Sequence, residues 1–373
     1  MGDTSVHQYI DRETGQVMTE PLFRNGCVRF LYSSLRENAR WCFNLLTSSR
    51  STALLGYMNF DHSFNGRKDR VEAFLREMGI NGSDCVDRVD TFETVRQVFE
   101  RKIRFWDVRP MSREPWDIVS PCDARVLVGS MNTLDSLFIK GKYFTYPELL
   151  GNDRQSWSEE FSEADFAVFR LTPDQYHYNH VPVSGTVADI YEVNGRFHSC
   201  NPGAVIREVT PYSKNQRVVT VIDTDVDSGT GVGLVAMIEV TAMMIGRVDQ
   251  CYSDHGYDSP MPVTPGMTLK KGQPKSLFRP GSSTVILLFQ KNRTAFCPDI
   301  VDNMFRHDAQ SLFARGFKRP IVETGVRVRE TLGQRTQRIR ARDAMDDGLA
   351  APGNLGSMNR SGLDGRASQP DCY

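Results

Sequence analysis

The sequence lacks several features that would assign it at once to a large class of proteins. No apolar run approaches the roughly 20 residues that a membrane-spanning helix needs. The 45 Lys and Arg residues balance 46 Asp and Glu residues, so the charge does not favour nucleic acid as a partner. Zinc-finger, helix-turn-helix and Walker patterns are absent, as is the G-x-S-x-G elbow of the α/β-hydrolases. What is left is a globular chain of ordinary composition, with 40% hydrophobic and 24% charged residues.

The eight cysteines are scattered, without a C-x-x-C pair or the spacing of a metal site. The N-terminus is polar and acidic, unlike a secretory or mitochondrial leader. We therefore expect reduced thiols in an intracellular compartment, either in the cytoplasm or at the periphery of a membrane. His177 and His180 have no Cys or third His close by in the sequence, so we expect no metal there.

Composition divides the chain into four parts. Residues 1–27 are polar, and we expect them to be loose. Residues 28–115 carry apolar positions at helical spacing, whereas residues 116–334 alternate short β-rich runs with turn residues. Residues 335–373 hold few apolar residues and predict a disordered tail. The fold class is therefore α+β, with a helical N-terminal region followed by a β-rich core of the sandwich or barrel type.

Within the N-terminal region, Val28 to Leu55 is a candidate amphipathic helix. Arginines are interleaved with its apolar residues, which fits a helix on a lipid surface or a helix packed on its own domain. Further helices are expected at Lys68 to Met78 and at Thr91 to Ile103. Seven strands are expected in the core, at Ala124 to Val128, Phe166 to Leu171, Gly185 to Val193, Val218 to Asp223, Val232 to Val240, Thr284 to Phe289 and Val322 to Val328.

A serine pair marks the entry to one of these strands. Ser282 and Ser283 follow the break Pro280-Gly281 and precede the apolar run Thr284 to Phe289. Proline fixes φ and glycine permits unusual backbone angles, so this turn can be strained. A strained peptide bond beside a hydroxyl is a place where a chain could attack its own backbone. The alternative is an ordinary Gly-Ser turn that leads into a core strand.

Other segments carry groups that could act with these serines. Asp123 stands immediately before a strand, where an Asp is otherwise a turn or capping residue. His177 and His180 lie in a polar loop and suit acid–base chemistry, since an unperturbed imidazole titrates at about pH 6.5. Glu239 lies in a strand-like apolar run and could be merely a paired edge residue. Serine, histidine and aspartate together suggest a nucleophile, a base and an orienting acid.

In their order and spacing these segments resemble the pyruvoyl-dependent phosphatidylserine decarboxylase family over about residues 28 to 332. The family's Ser-Pro-x-Asp-Gly is matched by residues 120–124, its Tyr-His-x-x-His-x-Pro by residues 176–182 and its Gly-Gly-Ser-Thr cleavage motif by residues 281–284. Each motif is weak alone, but their shared order is specific. Further matches are Phe99 to Lys102, Arg109-Pro110, Cys200 to Ala204, Asn215 to Arg217 and Glu239 to Gly246.

The resemblance implies a proenzyme that cleaves itself between residues 282 and 283. Ser283 would attack the preceding carbonyl and become a pyruvoyl group, so no separate cofactor is needed. His180 would be the base, Asp123 would hold its ring, and His177 would serve the substrate around loss of the carboxylate and reprotonation. The pyruvoyl ketone would form a Schiff base with a substrate amine and take up the electrons released with CO2. The two fragments would stay associated, in a homodimer that binds no nucleic acid.

Several positions depart from the family pattern. Ala124 and Ser282 replace glycines, Met243 and Met244 stand where Thr and a hydrophobic residue are usual, and the acidic lead-in to the cleavage motif appears as Gln273 to Phe278. Ser282 leaves open a shift of the scissile bond by one residue. We expect a phosphatidylserine decarboxylase acting at a membrane surface. The alternatives are a soluble amino-acid decarboxylase, for example for an aromatic amino acid, and an inert homologue that never cleaves.

Overall fold

A computed structural model gives the fold, and it describes residues 6–20, 64, 68–131, 145–199, 201–205, 211–242, 247–280, 283–316 and 320–336. The chain divides into two units, Met1–Thr336 and Gln337–Tyr373. The second unit, which contains most of the expected tail, lies outside the described residues.

Strands dominate the part of the chain that the structure describes. In chain order they are β1 (Gln8–Asp11), β2 (Val17–Thr19), β3 (Asp117–Val119), β4 (Ala124–Ser130), β5 (Asp165–Leu171), β6 (Tyr178–His180), β7 (Gly185–Val193), β8 (Arg217–Asp223), β9 (Leu234–Val240), β10 (Val248–Gln250), β11 (Thr268–Leu269), β12 (Pro274–Phe278), β13 (Ser283–Phe289), β14 (Thr294–Phe296), β15 (Glu323–Val326) and β16 (Thr331–Arg335).

The described helices are short. They are α1 (Lys68–Glu77), α2 (Val95–Phe99), α3 (Phe105–Val108), α4 (Tyr146–Leu150), α5 (Gln155–Glu160), α6 (Pro202–Val205), α7 (Pro211–Lys214) and α8 (Pro298–Asn303), with 3-10 turns at Gly82–Asp84, Val89–Thr91 and Phe313–Gly316. None of these helices is long and apolar enough to cross a membrane.

The strands form one large sheet and two small ones. The large sheet has ten strands in the order β11-β7-β8-β9-β13-β5-β4-β15-β1-β2, and the small sheets have the orders β10-β12-β6 and β14-β16-β3. Neighbouring strands are antiparallel except β1 and β15, which run parallel. The pairing of the described strands runs from β11 to β2 without closing into a ring. The large sheet and the sheet β10-β12-β6 meet through side-chain hydrogen bonds.

Strand β13 lies near the middle of the large sheet, between β9 and β5. All seven of its residues are buried, so both faces of the strand are covered. Burial on both faces explains why its sequence is a continuous apolar run rather than an alternation of apolar and polar residues. The same core contains most of the buried side chains of β4, β5, β8 and β9.

The α+β class and the seven expected strands are confirmed, each strand within two residues of its expected ends. The expected helix at Lys68 to Met78 is present as α1. The expected helix at Thr91 to Ile103 is too long. Thr94 starts α2 with a capping box that includes Gln97, and the helix ends at Phe99. Ile103 instead forms a β-bridge with Cys85.

The expectation of a loose N-terminal segment is wrong for the residues that form β1 and β2. This polar hairpin is held because β1 pairs with β15, more than 300 residues away in the sequence. Val28 to Leu55 lies outside the described residues, so the helical N-terminal region is described only from residue 68, apart from Phe64. At the other end, β16 continues through Arg335, where the tail was expected to begin.

Candidate active site

Four expected site residues stand at the ends of β4 and β13 of the large sheet and of β6 of a small sheet. Asp123 immediately precedes β4, His177 immediately precedes β6, His180 ends β6 and Ser283 begins β13. All four side chains are buried. Gly281 and Ser282, which complete the expected cleavage motif, lie outside the described residues.

Ser283 has a buried hydroxyl that makes no hydrogen bond within the described residues. Its backbone pairs with Leu171 of β5, so its position is fixed by the sheet. A buried polar group without a partner costs about 1–3 kcal/mol, and native structures retain few of them. The sheet thus fixes the backbone of Ser283, while its hydroxyl has no hydrogen-bond partner among the described residues, His180 included.

His180 is fixed by hydrogen bonds at both ring nitrogens. Nδ1 lies 2.9 Å from the carbonyl oxygen of Gly272, and Nε2 lies 2.9 Å from the hydroxyl of Tyr176. A carbonyl only accepts, so Nδ1 carries a proton. Burial, followed by the charge of Arg329, lowers the pKa of His180 to about 3, although the Gly272 carbonyl opposes this shift. The ring is therefore neutral near pH 7, and Nε2 presents its lone pair to Tyr176.

Hydrogen bonds continue beyond His180 as a chain. The hydroxyls of Tyr176 and Tyr257 lie 2.7 Å apart, and the Tyr257 hydroxyl lies 2.9 Å from the carbonyl oxygen of Ile103. Four hydrogen-bond contacts in a row thus join the carbonyl of Gly272 to the carbonyl of Ile103, through His180, Tyr176 and Tyr257. A neutral imidazole and two phenols supply only three protons for them. The chain is one proton short, and it completes its hydrogen bonds when His180 takes up a proton.

Gly272 owes its place in this chain to its backbone. Its φ is +78°, in the left-handed region that favours glycine. A Cβ added there would lie 2.3 Å from Sδ of Met111. Its N–H donates to the carbonyl of Val181 at 2.8 Å, which ties this turn to the residue after His180. A side chain at position 272 would therefore displace the carbonyl that orients the ring.

His177 presents a different picture. Nδ1 donates to the carbonyl of Gln175 at 2.8 Å, so Nε2 carries the lone pair, and Nε2 has no partner in the described part of the chain. The ring stacks on Phe99 with centroids 3.6 Å apart. Burial and then the charge of Arg101 hold the pKa of His177 well below its usual value. His177 is thus a neutral imidazole whose Nε2 lone pair has no partner among the described residues.

Asp123 does not hold the ring of His180, contrary to expectation. Its carboxylate accepts two hydrogen bonds from Arg109, at 3.2 and 2.8 Å, and one from the backbone N–H of Val328 at 2.8 Å. Burial alone would raise the pKa of Asp123, but the charge and hydrogen bonds of Arg109 outweigh it and leave the pKa below the usual value. The ring of His180 is oriented by Gly272 and Tyr176 instead.

Two further expected motif residues build the surrounding loops. The side chain of Asn215 accepts a hydrogen bond from the backbone N–H of His198 and donates to the carbonyls of His198 and Thr241. The guanidinium of Arg217 is buried and donates to the carbonyls of Leu149 and Ser213, among others. Burial lowers the pKa of Arg217 to about 10. These side chains bind backbone groups of the surrounding loops, which is a structural role.

Sequence reasoning missed two members of the His180 chain. Tyr257 lies in a polar loop with no pattern that singles it out, and Gly272 lies in a Lys-Lys-Gly turn. The only signal was Tyr176, which belongs to the same motif as both histidines. The partner of Asp123 could have been predicted more easily, because Arg109 was one of the motif matches.

Comparison with known proteins identifies the family of the chain. The model of the family described as phosphatidylserine decarboxylase matches residues 95–308, which is more than half of the chain. The chain therefore belongs to the phosphatidylserine decarboxylase family and is a carboxy-lyase.

Relatives named phosphatidylserine decarboxylase proenzyme occur in Fusobacterium nucleatum and Chlamydia trachomatis. The first is 27% identical over 297 residues, which is 79% of this chain and 91% of the relative. The second is 27% identical over 328 residues, 88% of this chain and 97% of the relative. Proenzyme 3 of Schizosaccharomyces pombe is 27% identical over 357 residues, but the chain spans only 33% of that protein's length.

Proposed function

We propose that this chain is a pyruvoyl-dependent phosphatidylserine decarboxylase that makes its own prosthetic group by cutting its backbone between Ser282 and Ser283. Residues 116–334 are its catalytic core, and the products of cleavage are the fragments 1–282 and 283–373. The observation that carries the proposal is the buried hydroxyl of Ser283, which has no partner in the described structure. The names of the relatives support it, because each is a decarboxylase proenzyme.

Cleavage needs only the chain and water. Oγ of Ser283 bonds to the carbonyl carbon of residue 282, the C–N bond breaks and an ester replaces the amide. A base then removes the Cα proton of residue 283, and the carboxylate of residue 282 leaves. The resulting dehydroalanine reacts with water, which releases ammonia and leaves a pyruvoyl group at position 283. Both the attack and the elimination need a group that accepts a proton.

We assign the role of that base to His180, which is neutral. Its ring nitrogens are bonded to Gly272 and Tyr176 in the described structure and not to Ser283. Uptake of a proton completes the hydrogen bonds of its chain with Tyr176 and Tyr257. Asp123 contributes through position, because it joins Arg109 to the backbone of Val328 in the smaller fragment. We therefore assign the orienting role to Gly272 and Tyr176, and a joining role to Asp123.

The environment of residue 283 fits a pyruvoyl group. Its cross-strand neighbour Leu171 and the next residue on that face of β5, Phe169, are buried and apolar. Once formed, a pyruvoyl group supplies a ketone that takes up the electrons released with CO2. Surroundings without water favour loss of the charge on the substrate's carboxylate. His177, with its free Nε2, is the residue we assign to returning the proton.

A cavity of about 510 Å³ is lined by residues of both fragments, among them Arg101, Asp123, Tyr176 and Arg327. Its walls carry both signs of charge. A serine headgroup also carries both, with an ammonium, a carboxylate and a phosphate. Arg101 is a buried cation that donates to the carbonyls of Val98 and Asp174, and its charge lowers the pKa of His177. Among the described residues the cavity lining includes Asp123 but not Ser283, His177 or His180, so we do not assign the cavity to the headgroup. Contact with a lipid surface and a homodimer stay predictions.

Intact-mass measurement tests the self-cleavage. The wild-type protein should give two fragments, with the smaller one beginning in a pyruvoyl group at position 283. Ser283→Ala should remain a single chain of 42.2 kDa, because it has no nucleophile. Ser282→Ala is the matched control and should still cleave. An unbroken wild-type chain would exclude the proposal, whereas cleavage of Ser283→Ala would move the reactive residue to Ser282.

Release of CO2 tests the substrate. We expect it from liposomes that contain phosphatidylserine and not from free tryptophan. The reverse result would favour a soluble amino-acid decarboxylase on the same scaffold. Borohydride together with substrate should abolish the activity through the ketone, and full activity after that treatment would exclude a carbonyl prosthetic group.

A further inference from the structure

A buried charge pair lies where the large sheet meets the sheet β10-β12-β6. Glu239 of β9 accepts hydrogen bonds from Asn179 of β6 at 3.3 Å, Gln250 of β10 at 2.9 Å and Lys275 of β12 at 2.8 Å, and also from the hydroxyl of Ser276. One carboxylate on the large sheet thus contacts a side chain from every strand of the smaller sheet. Glu239 and Lys275 are both fully buried.

Stability alone is a poor explanation for such a pair. Moving two charges out of water costs several kcal/mol per ion, and apolar residues of similar volume often serve as well or better. Lys275 also lies in the lead-in to the cleavage motif, the stretch that departs from the family pattern. The pair therefore calls for a role that apolar packing could not fill.

The strand register places this pair beside Ser283. Glu239 lies directly opposite Val285 in β13, and side chains two residues apart on a strand share a face. Ser283 and Glu239 are therefore diagonal neighbours on one face, at a Cβ–Cβ separation of about 7–8 Å. Phe278, at the end of β12, donates to the carbonyl of His177 at 3.1 Å. The four residues 279–282 must cross from there to the start of β13, so the charge pair holds the strand from which this crossing starts.

The charge of Glu239 also reaches the other site residues. The titratable groups that face it are Lys275 from β12, Cys251 beyond β10 and Cys122 from the loop before β4. Burial, and then Glu239, raises the pKa of Cys251 to about 12. Burial, then Asp123 and Glu239, raises the pKa of Cys122 well above its usual value. Cys122 precedes Asp123 in the chain, so the carboxylate of Glu239 is part of the electrostatic environment of the site.

We propose that Glu239 and Lys275 are positioning residues for self-cleavage: the carboxylate joins the three strands of the smaller sheet to β9, and the ammonium supplies its countercharge. The pair holds β12, which ends at Phe278, five residues before Ser283 in the chain. This inference rests on the proposed self-cleavage and identifies residues that it depends on.

The test is a time course of chain cleavage for newly synthesised protein, followed on denaturing gels. Lys275→Met leaves a buried carboxylate without its cation. We expect the variant to cleave at least about tenfold more slowly than the wild type.

Two further variants separate a charge effect from damage to the fold. Glu239→Gln/Lys275→Met carries no unpaired charge and should cleave faster than Lys275→Met. Lys270→Met is the matched control, because Lys270 lies in the same stretch but pairs with Asp254 at the surface. It should behave as the wild type does.

The outcomes are decisive in either direction. If Lys275→Met cleaves at the wild-type rate, the charge pair does not position the site. A double variant that cleaves no faster than Lys275→Met also overturns the inference, including the case in which the single variant does not fold. A wild-type chain that never cleaves would instead refute the proposed function, so the two failures are distinguishable.

Discussion

Two buried polar clusters, the charge cluster of His7, Glu20, Arg170 and Glu323 and the candidate site around Ser283, differ in how completely their atoms are bonded. Arg170 of β5 and Ser283 of β13 are one residue out of register, because Arg170 pairs with Thr284. The side chains of Arg170 and Ser283 therefore point to opposite faces of the sheet. The charge cluster contains no buried side-chain atom without a partner, whereas Oγ of Ser283 and Nε2 of His177 have no partner within the described residues. An unpartnered atom alone does not mark a site, since Oγ1 of Thr284 is also buried without a partner there.

The charge cluster joins distant parts of the chain. Arg170 donates to Glu20 at 2.8 Å and to Glu323 at 3.0 Å, and Nε2 of His7 lies 2.9 Å from Glu323. One ring nitrogen of His7 and one carboxylate oxygen each of Glu20 and Glu323 lie within 4.8 Å of one another, as the ligand atoms of a metal ion would. The guanidinium of Arg170 already serves both carboxylates, so the arrangement is explained without a metal.

The hairpin β1–β2 contacts mainly residues that would belong to the smaller fragment. Arg12 bonds Asp299, Arg327 bonds Glu13, and the backbone of Gln8 bonds that of Gln310 at 2.8 Å. β13 also lies between two strands of the larger fragment. These contacts predict that the two fragments stay together after cleavage.

The largest effect should come from His180→Gln. Glutamine can keep a donor and an acceptor near Gly272 and Tyr176, but it cannot take up a proton. We expect self-cleavage to slow by about 10³-fold, within the range of general acid–base effects. Urea unfolding in a Ser283→Ala background should change by no more than about 1 kcal/mol. A variant that cleaves at the normal rate would remove His180 from the chemistry.

Arg170→Met should lower stability strongly and change the rate of self-cleavage little, the opposite of His180→Gln. It leaves two buried carboxylates without their cation, so we expect the free energy of unfolding to fall by about 3–5 kcal/mol. Urea unfolding of the uncleaved Ser283→Ala form measures this loss in a single chain. Folded Arg170→Met should still cleave at close to the wild-type rate. Slow cleavage by folded protein would show that the two clusters are not separate in function.

Acid should weaken the charge cluster first. Burial would raise the pKa of Glu323, but the charge of Arg170 and the hydrogen bond from His7 lower it to about 2. A carboxyl group with a lowered pKa adds stability above its unfolded pKa of about 4.3 and loses it as pH falls. The free energy of unfolding should therefore drop between about pH 4.3 and pH 2, and drop less in Glu323→Gln. Equal slopes for both proteins would contradict this assignment.

The smallest effect should come from Tyr257→Phe. Without this hydroxyl, the neutral chain from Gly272 to Tyr176 has as many protons as hydrogen bonds, so proton uptake by His180 no longer gains one. A hydrogen bond is worth about 1 kcal/mol, which slows self-cleavage about fivefold. The cleavage time course measures it, with Tyr252→Phe as control because Tyr252 bonds Lys270 instead. An unchanged rate would show that the proton chain ends at Tyr176.

Whether a region could be predicted from the sequence depends on whether the residues that determine its structure are neighbours in the chain. The strand Thr284 to Phe289 could be predicted because six buried apolar or β-branched residues in a row indicate a covered strand. The hairpin β1–β2 could not, because its strands are only four and three residues long and its partner β15 lies at the far end of the chain. The expected pairing of Asp123 with His180 failed for a similar reason, since Arg109 and Val328 reach the carboxylate from separate segments.

By itself, the sequence determined the family, the α+β class and the strands of the core, and it predicted the four side chains at the candidate site. These follow from short patterns, in which neighbouring residues carry the information. Only the tertiary structure decided which atoms are bonded and which are free: Gly272 rather than Asp123 at the ring of His180, and no partner for the hydroxyl of Ser283 in the described chain. Hydrogen bonding depends on distances of a few tenths of an ångström between residues far apart in the sequence, and no local pattern encodes them.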